Sequence, residues 1–131
     1  MKNSKVLVLD DEQIVCERLE EHLTKLGFTV ITFTDSQKAL NHLSNNTFDV
    51  VVTDLKMSGP TGLDVLHYVH ENSPGTQVII ITGYASMDAV REAEYTGVFE
   101  FITKPFNLPK IGALVKKASD KALRHTGKAE K

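Results

Sequence analysis

The sequence predicts an α/β protein built on an open, doubly wound parallel sheet of five strands. Short β-rich apolar runs recur five times along the 131 residues, and a segment with helical spacing follows each of them. Strict alternation of strands and helices is typical of a parallel sheet with right-handed crossovers. A closed eightfold barrel needs about twice this length. We therefore expect one domain made of five strand–helix repeats.

The five predicted strands are short and differ in how apolar they are. They cover residues 5–9, 28–33, 49–53, 77–82 and 99–103. The first, third and fourth contain continuous aliphatic runs, which are typical of parallel strands covered by helices on both faces. We expect these three strands at the centre of the sheet. The second strand mixes threonines with apolar residues, so one face or one edge of it should meet water.

The segments between the strands carry apolar residues at intervals of three and four, which predicts helices with one buried face. These helices cover residues 12–26, 36–45, 63–71, 86–95 and 107–123. Gly27 is placed to cap the C-terminus of the first helix, and Asp35 or Ser36 the N-terminus of the second. The apolar stripe of the fifth helix suits either packing on the sheet or the seam of a short coiled coil.

Composition and charge exclude several classes of protein. The 41% of hydrophobic residues is average for a globular domain, and no aliphatic run approaches the roughly 20 residues of a membrane helix. Fifteen basic against seventeen acidic residues give a net charge of −2, so direct binding of nucleic acid is not expected. The single cysteine, Cys16, and an N-terminus without a secretory pattern favour a reducing cytoplasm. We interpret Cys16 as a buried, unreactive thiol.

Polar residues follow or end four of the five predicted strands. Asp10 and Asp11 follow the first strand, and Asp54 follows the third. Thr82 ends the fourth strand, and Lys104 follows the fifth. In an open α/β sheet the ligand site lies beyond the carboxyl ends of the strands, where the strand order reverses. We therefore expect these five side chains to meet at one edge of the sheet.

This set of side chains indicates chemistry on a phosphoryl group. Capping and turn formation explain any one Asp or Thr, but three carboxylates at one edge repel each other unless a cation lies between them. Mg²⁺, bound by carboxylates and water, fits best. Asp54 would then attack phosphorus, Lys104 would stabilise charge on the oxygens, and Thr82 would donate a hydrogen bond to one of them. The product would be an aspartyl phosphate.

Four motifs in register resemble the receiver domain of response regulators in two-component signalling. They are Val6-Leu-Val-Leu-Asp-Asp-Glu12, Asp54-Leu-Lys-Met57 followed by Gly62-Leu63, Ile81-Thr-Gly83, and Phe101-Ile-Thr-Lys-Pro105. The resemblance covers residues 4–123, leaves 124–131 as a polar tail or the start of a linker, and implies a flavodoxin-like strand order 2-1-3-4-5. Residues 81–85 and 97–106 look most like receivers of NtrC-type activators of sigma-54 polymerase, which implies an output in transcription through a downstream domain.

The resemblance also implies a role for each site residue. Asp54 would accept phosphate from a sensor histidine kinase. Mg²⁺ would be held by Asp10, Asp11, Asp54 and the backbone carbonyl of Lys56. Thr82 and Lys104 would bind the phosphoryl oxygens.

Two further features and one activity follow from the same resemblance. Phe101 would be an aromatic switch that turns inward when Thr82 moves toward the phosphate, and the peptide before Pro105 would be cis. The domain would be a signalling switch and not a classical enzyme. Its output would be a changed surface on the fourth helix, fifth strand and fifth helix, and a homodimer could form there or through an extension of the fifth helix.

The sequence departs from the family pattern beside the proposed phosphoacceptor. The family usually has proline four residues after that aspartate, whereas here the position is Ser58 and the proline is Pro60. Lys56 and Tyr84 border the expected path of a hydrolytic water, where a long cation and a bulky ring could obstruct attack on the phosphoryl group.

Three alternatives remain open at this point. A stand-alone receiver or phosphorelay intermediate would act by binding proteins. A Mg²⁺-dependent phosphohydrolase would need a second carboxylate acting on its substrate and a cap, and no insertion is long enough to form one. A flavin binder of flavodoxin type would need a first loop rich in Ser, Thr and Gly, whereas Asp10-Asp-Glu12 would repel a phosphate.

Overall fold

A computed structural model describes residues 4–130, and the side chains of residues 4–123. Strands and helices alternate along the whole of this range. The strands are β1 (Lys5–Leu9), β2 (Thr29–Phe33), β3 (Val50–Thr53), β4 (Gln77–Thr82) and β5 (Glu100–Thr103). The helices are α1 (Gln13–Lys25), α2 (Ser36–Leu43), α3 (Gly62–Asn72), α4 (Met87–Thr96) and α5 (Leu108–Glu130).

All five strands are parallel and form one sheet in the order β2-β1-β3-β4-β5. The predicted fold class and strand order are therefore confirmed. The aliphatic strands β1, β3 and β4 are central, and the threonine-containing β2 lies at an edge, as expected. The chain moves outward from β1 to β2 and then returns to β3 on the other side of β1. The order thus reverses between β1 and β3, which puts their carboxyl ends side by side.

Two apolar clusters cover the two faces of the sheet. One joins α1 and α5 to β1, β3 and β4, and its members include Cys16, Leu19, Ile111 and Val115. The other packs α2, α3 and α4 on the opposite face, with Ala39, Val65 and Ala93 among its members. Successive residues of a strand point to opposite faces, so a continuous aliphatic strand contributes to both clusters.

The ends of the helices follow from local chemistry. Asp35 accepts a hydrogen bond from the amide of Lys38 at 2.9 Å and caps α2. Thr61 and Asp64 form a capping box at the start of α3. Helix α1 begins one residue later than predicted, and α5 continues to Glu130, past its predicted end at residue 123. Residue 131 lies outside the described range.

Cys16 is buried, with its Sγ 3.3 Å from the carbonyl oxygen of Asp10. Burial raises the pKa of this thiol to about 11, so it stays protonated at neutral pH and is unreactive. In the described part of the chain, we find no helix with the length and apolar character needed to cross a membrane.

Candidate functional site

Three carboxylates meet at the point where the strand order reverses. Asp10 and Asp11 directly follow β1, and Asp54 directly follows β3. Oxygen atoms from all three side chains lie within 4.8 Å of one another. Asp10 and Asp54 are buried, whereas Asp11 is exposed. The predicted convergence of these residues at the carboxyl edge of the sheet is present in the structure.

Backbone amides fix the two buried carboxylates. The amide of Asp54 donates to the carbonyl of Leu9 at 2.9 Å and so continues the pairing of β3 with β1. One carboxylate oxygen of Asp10, Oδ1, accepts from the amide of Glu12 at 2.8 Å. The Oδ1 atom of Asp54 accepts from the amide of Leu55 at 2.7 Å. Each side chain is therefore oriented by the chain that follows it, and its Oδ2 atom faces the pocket.

The ammonium group of Lys104 lies between carboxylates. Its Nζ is 3.0 Å from Oδ2 of Asp10, 3.3 Å from Oδ2 of Asp54 and 3.0 Å from Oε1 of Glu12. Burial lowers the pKa of Lys104, but the hydrogen bonds to Asp10 and Glu12 and the nearby negative charges outweigh it, so the pKa is raised overall. The group is therefore fully charged at neutral pH.

The environment of Asp10 disfavours the charged form of its carboxylate. Burial is the main cause that raises the pKa of Asp10, and the negative charge of Asp54 adds to this effect. The amide of Glu12 and the ammonium of Lys104 act in the opposite direction without cancelling it. Three carboxylates also gather around a single ammonium, so the pocket holds more negative charge than Lys104 alone can neutralise.

These donors suit a hard divalent cation. Mg²⁺ prefers oxygen ligands and is commonly bound by one or two carboxylates together with water. The three carboxylates lie close enough together to bind a single ion. One of them, Asp11, is exposed, which leaves room for water ligands. The excess negative charge around Asp10 gives a physical reason for a cation to bind here.

Thr82 ends β4, and Phe101 lies on the neighbouring strand β5. The hydroxyl of Thr82 is buried and lies 3.1 Å from both the backbone amide and the carbonyl of Tyr84. Phe101 is partly buried and packs on the cluster formed with α2, α3 and α4. The peptide between Lys104 and Pro105 is cis.

The loop after β3 is shaped by glycines and by a contact with α2. A Cβ atom at Gly62 would lie 2.3 Å from the carbonyl oxygen of Asp54, so only glycine fits against this segment. Gly59 has a φ of +82°, which glycine adopts at little cost. The hydroxyl of Ser36 donates to the carbonyl of Ser58 at 3.2 Å. This hydrogen bond fixes the loop at the position where the family pattern has proline.

Two contacts of the site were not anticipated from the sequence. Glu12 pairs with Lys104, although its place directly after the two aspartates could have suggested this. The ammonium of Lys56 lies 3.8 Å from the ring centroid of Tyr84 and forms a cation–π contact. The two residues expected to border the path of water are therefore stacked on each other.

Comparison with known families identifies the kind of domain that carries this pocket. The family described as the response regulator receiver domain matches residues 6–116. The chain belongs to this family. The receiver domain is therefore a phosphorylation switch with an acidic pocket, a signalling module and not a classical enzyme.

The chain is also similar to the receivers of transcriptional regulators. It is 34% identical over 118 residues to the DNA-binding transcriptional regulator NtrC of Escherichia coli strain K12, covering 90% of this chain and 25% of NtrC. It is 33% identical over 115 residues to the response regulator protein PilR of Pseudomonas aeruginosa, covering 88% of this chain and 26% of PilR. The chain thus spans about a quarter of these relatives, and the predicted likeness to NtrC-type receivers is confirmed.

Solved receiver domains share the fold. The beryllofluoride-activated NtrC4 receiver domain dimer superposes with a TM-score of 0.84 at 31% identity, over 90% of this chain and 98% of that one. A receiver domain from Clostridium thermocellum gives the same TM-score and identity, over 90% of this chain and 95% of that one. A receiver domain from Methanospirillum hungatei, at 23% identity, reaches a TM-score of 0.90 over 95% of this chain and 99% of that one.

Proposed function

We propose that Asp54 accepts a phosphoryl group from the phosphohistidine of a sensor histidine kinase in a Mg²⁺-dependent reaction. The observation that carries this proposal is the position of the Lys104 ammonium, which contacts both Asp10 and Asp54 in a pocket of three carboxylates. A cation and a nucleophile side by side at this edge of the sheet suit phosphoryl transfer better than binding alone.

The chemical step is an in-line displacement at phosphorus. A carboxylate oxygen of Asp54 forms a bond to phosphorus, the P–N bond of the phosphohistidine breaks, and the imidazole leaves with the electron pair. The amide of Leu55 holds one oxygen of Asp54 and so fixes the direction of the other. Lys104 donates to a phosphoryl oxygen and stabilises its negative charge.

Asp10, Asp11, Asp54 and the backbone carbonyl of Lys56 are the groups that would hold Mg²⁺. When bound, the ion supplies positive charge that offsets the repulsion between the carboxylates and the incoming phosphoryl group. Asp10 is fixed by the amide of Glu12, so its orientation does not depend on the metal. The contact of Ser36 with Ser58 holds the loop that carries Lys56.

The phosphoryl group changes the conformation through Thr82. Its hydroxyl leaves the backbone of Tyr84, donates to a phosphoryl oxygen, and opens space into which Phe101 turns. The affected surface consists of α4, β5 and α5. Tyr84, Met87 and Tyr95 are exposed large side chains on or next to α4, which supports a protein-binding surface there.

The output is proposed to be transcription, controlled through a downstream domain and through a homodimer formed by the α4–β5–α5 surface or by the extension of α5. Two findings support this: the likeness to NtrC and PilR receivers, and the NtrC4 receiver, whose activated form is a dimer. Residues 4–123 would form the receiver and residues 124–131 the beginning of a linker. The site of action would be the cytoplasm.

Incubation with acetyl phosphate and Mg²⁺, read by intact mass, tests this function. We expect a gain of about 80 Da, one phosphoryl group, because Asp54 is positioned as a nucleophile beside Lys104. The gain should be absent in EDTA and in the Asp54→Asn variant. Asp120→Asn, which alters an exposed aspartate in α5 away from the pocket, should retain it. An unchanged mass of the wild-type chain with Mg²⁺ present would overturn the proposal.

A further inference from the structure

The ammonium group of Lys104 has no spare hydrogen-bond donor. A lysine ammonium carries three N–H groups, and here three carboxylates lie within 3.3 Å of Nζ: those of Asp10, Glu12 and Asp54. Under the proposed function, the bond from Asp54 to phosphorus frees the N–H that its carboxylate held, and the phosphoryl group brings charged oxygens to the ammonium in its place. These oxygens compete with Asp10 and Glu12 for the other two N–H groups.

Asp10 and Glu12 differ in how much it costs to release them from the ammonium. The side chain of Asp10 is only 4% exposed, so removing the ammonium would leave a buried charge unpaired. The side chain of Glu12 is 60% exposed. Its carboxylate can return to water at little cost.

Glu12 also lacks the second contact that fixes the other two carboxylates. Asp10 and Asp54 each accept a hydrogen bond from a backbone amide. Glu12 is the N-cap residue of α1, yet its side chain makes no capping hydrogen bond and reaches instead to Lys104. The carboxylate of Glu12 is therefore held by Lys104 and not by a capping hydrogen bond to α1.

We propose that Glu12 is a positioning residue that acts through Lys104. In the unphosphorylated chain it occupies the third N–H of the ammonium, and it yields this donor to a phosphoryl oxygen when Asp54 is modified. The inference rests on the proposed function and adds to it a competition within the pocket: the resting contact between Glu12 and Lys104 opposes occupation by the phosphoryl group.

This competition predicts that weakening the contact between Glu12 and Lys104 tightens the binding of beryllofluoride, a mimic of the phosphoryl group. We would titrate the Mg²⁺-loaded chain with beryllofluoride and follow backbone amide signals by NMR. Glu12→Gln replaces a charged acceptor by a neutral one, and we expect the affinity for beryllofluoride to rise about two- to fivefold. Glu17→Gln is the matched control, because it removes the same charge from an exposed side chain of α1 that lies outside the pocket. Its affinity should equal that of the wild type.

A second variant separates the contact from the charge. Glu12→Asp retains the negative charge but shortens the side chain by one methylene, so it loses the reach to Lys104. Because the direct contact between Glu12 and Lys104 is what opposes the phosphoryl mimic, this variant should also bind beryllofluoride more tightly than the wild type. Wild-type affinity in Glu12→Asp would assign the effect to long-range charge and overturn the proposal, as would unchanged or weaker binding in Glu12→Gln. If the wild-type chain itself does not bind beryllofluoride, the proposed function fails, and this inference fails with it.

Discussion

Replacing Lys104 by methionine is expected to lower the free energy of unfolding by about 3 kcal/mol at neutral pH without Mg²⁺. Methionine keeps much of the length of the side chain but removes its charge. Asp10 and Asp54, which are nearly buried, then face each other without a cation. Urea unfolding in EDTA measures the loss, and added Mg²⁺ should restore part of it because the ion supplies the missing charge.

Lys25→Met is the control for this experiment. Lys25 is 74% exposed and pairs with Glu21 at 3.8 Å within α1, so its replacement should change stability by less than about 0.5 kcal/mol. Equal stability of Lys104→Met and the wild type in EDTA would contradict the electrostatic description of the pocket.

Gly62→Ala is expected to destabilise the chain by about 2 to 3 kcal/mol and to impair phosphorylation of Asp54. The added Cβ would lie 2.3 Å from the carbonyl oxygen of Asp54 and 2.9 Å from Cα of Leu55. Both atoms belong to the backbone, so the clash cannot be relieved by turning a side chain. The loop after β3 or the start of α3 must move, and Asp54 moves with it.

Gly83→Ala offers a matched test at the same edge of the sheet. A Cβ atom at Gly83 meets atoms of the Lys104 side chain at 3.9 Å, which is ordinary van der Waals contact. Thermal or urea unfolding of the two variants should therefore show a large loss at Gly62 and a small change at Gly83. Similar stabilities of the two variants would mean that the segment around Asp54 is more adaptable than its close packing implies.

The fold was predictable because its determinants are local or periodic. The continuous aliphatic runs of β1, β3 and β4 identify strands buried on both faces, and strict alternation with helices fixes a parallel sheet. Once the strands are parallel, residues that follow them must meet at one edge. For this reason the sequence alone predicts that Asp10, Asp54 and Lys104 lie together.

The finer contacts of the pocket depend on side-chain reach and loop path, which periodicity does not encode. The spacing predicts Glu12 as the first residue of a helix, whereas its contact with Lys104 joins two positions far apart in the sequence. The hydrogen bond from Ser36 to Ser58 depends on how α2 lies against the loop. The hydroxyl of Thr82 engages the backbone of Tyr84, a conformation that the strand pattern does not specify.

Identifying the residue that carries the phosphoryl group tests the central claim most directly. The chain would be phosphorylated with acetyl phosphate and Mg²⁺, reduced with borohydride, which converts an aspartyl phosphate to homoserine, and sequenced by tandem mass spectrometry. We predict homoserine at Asp54 and unmodified Asp10 and Asp11, because Asp54 presents one carboxylate oxygen to Lys104 while the amide of Leu55 holds the other. Homoserine at Asp10 or Asp11, or a phosphoryl group on a histidine with Asp54 intact, would contradict the account.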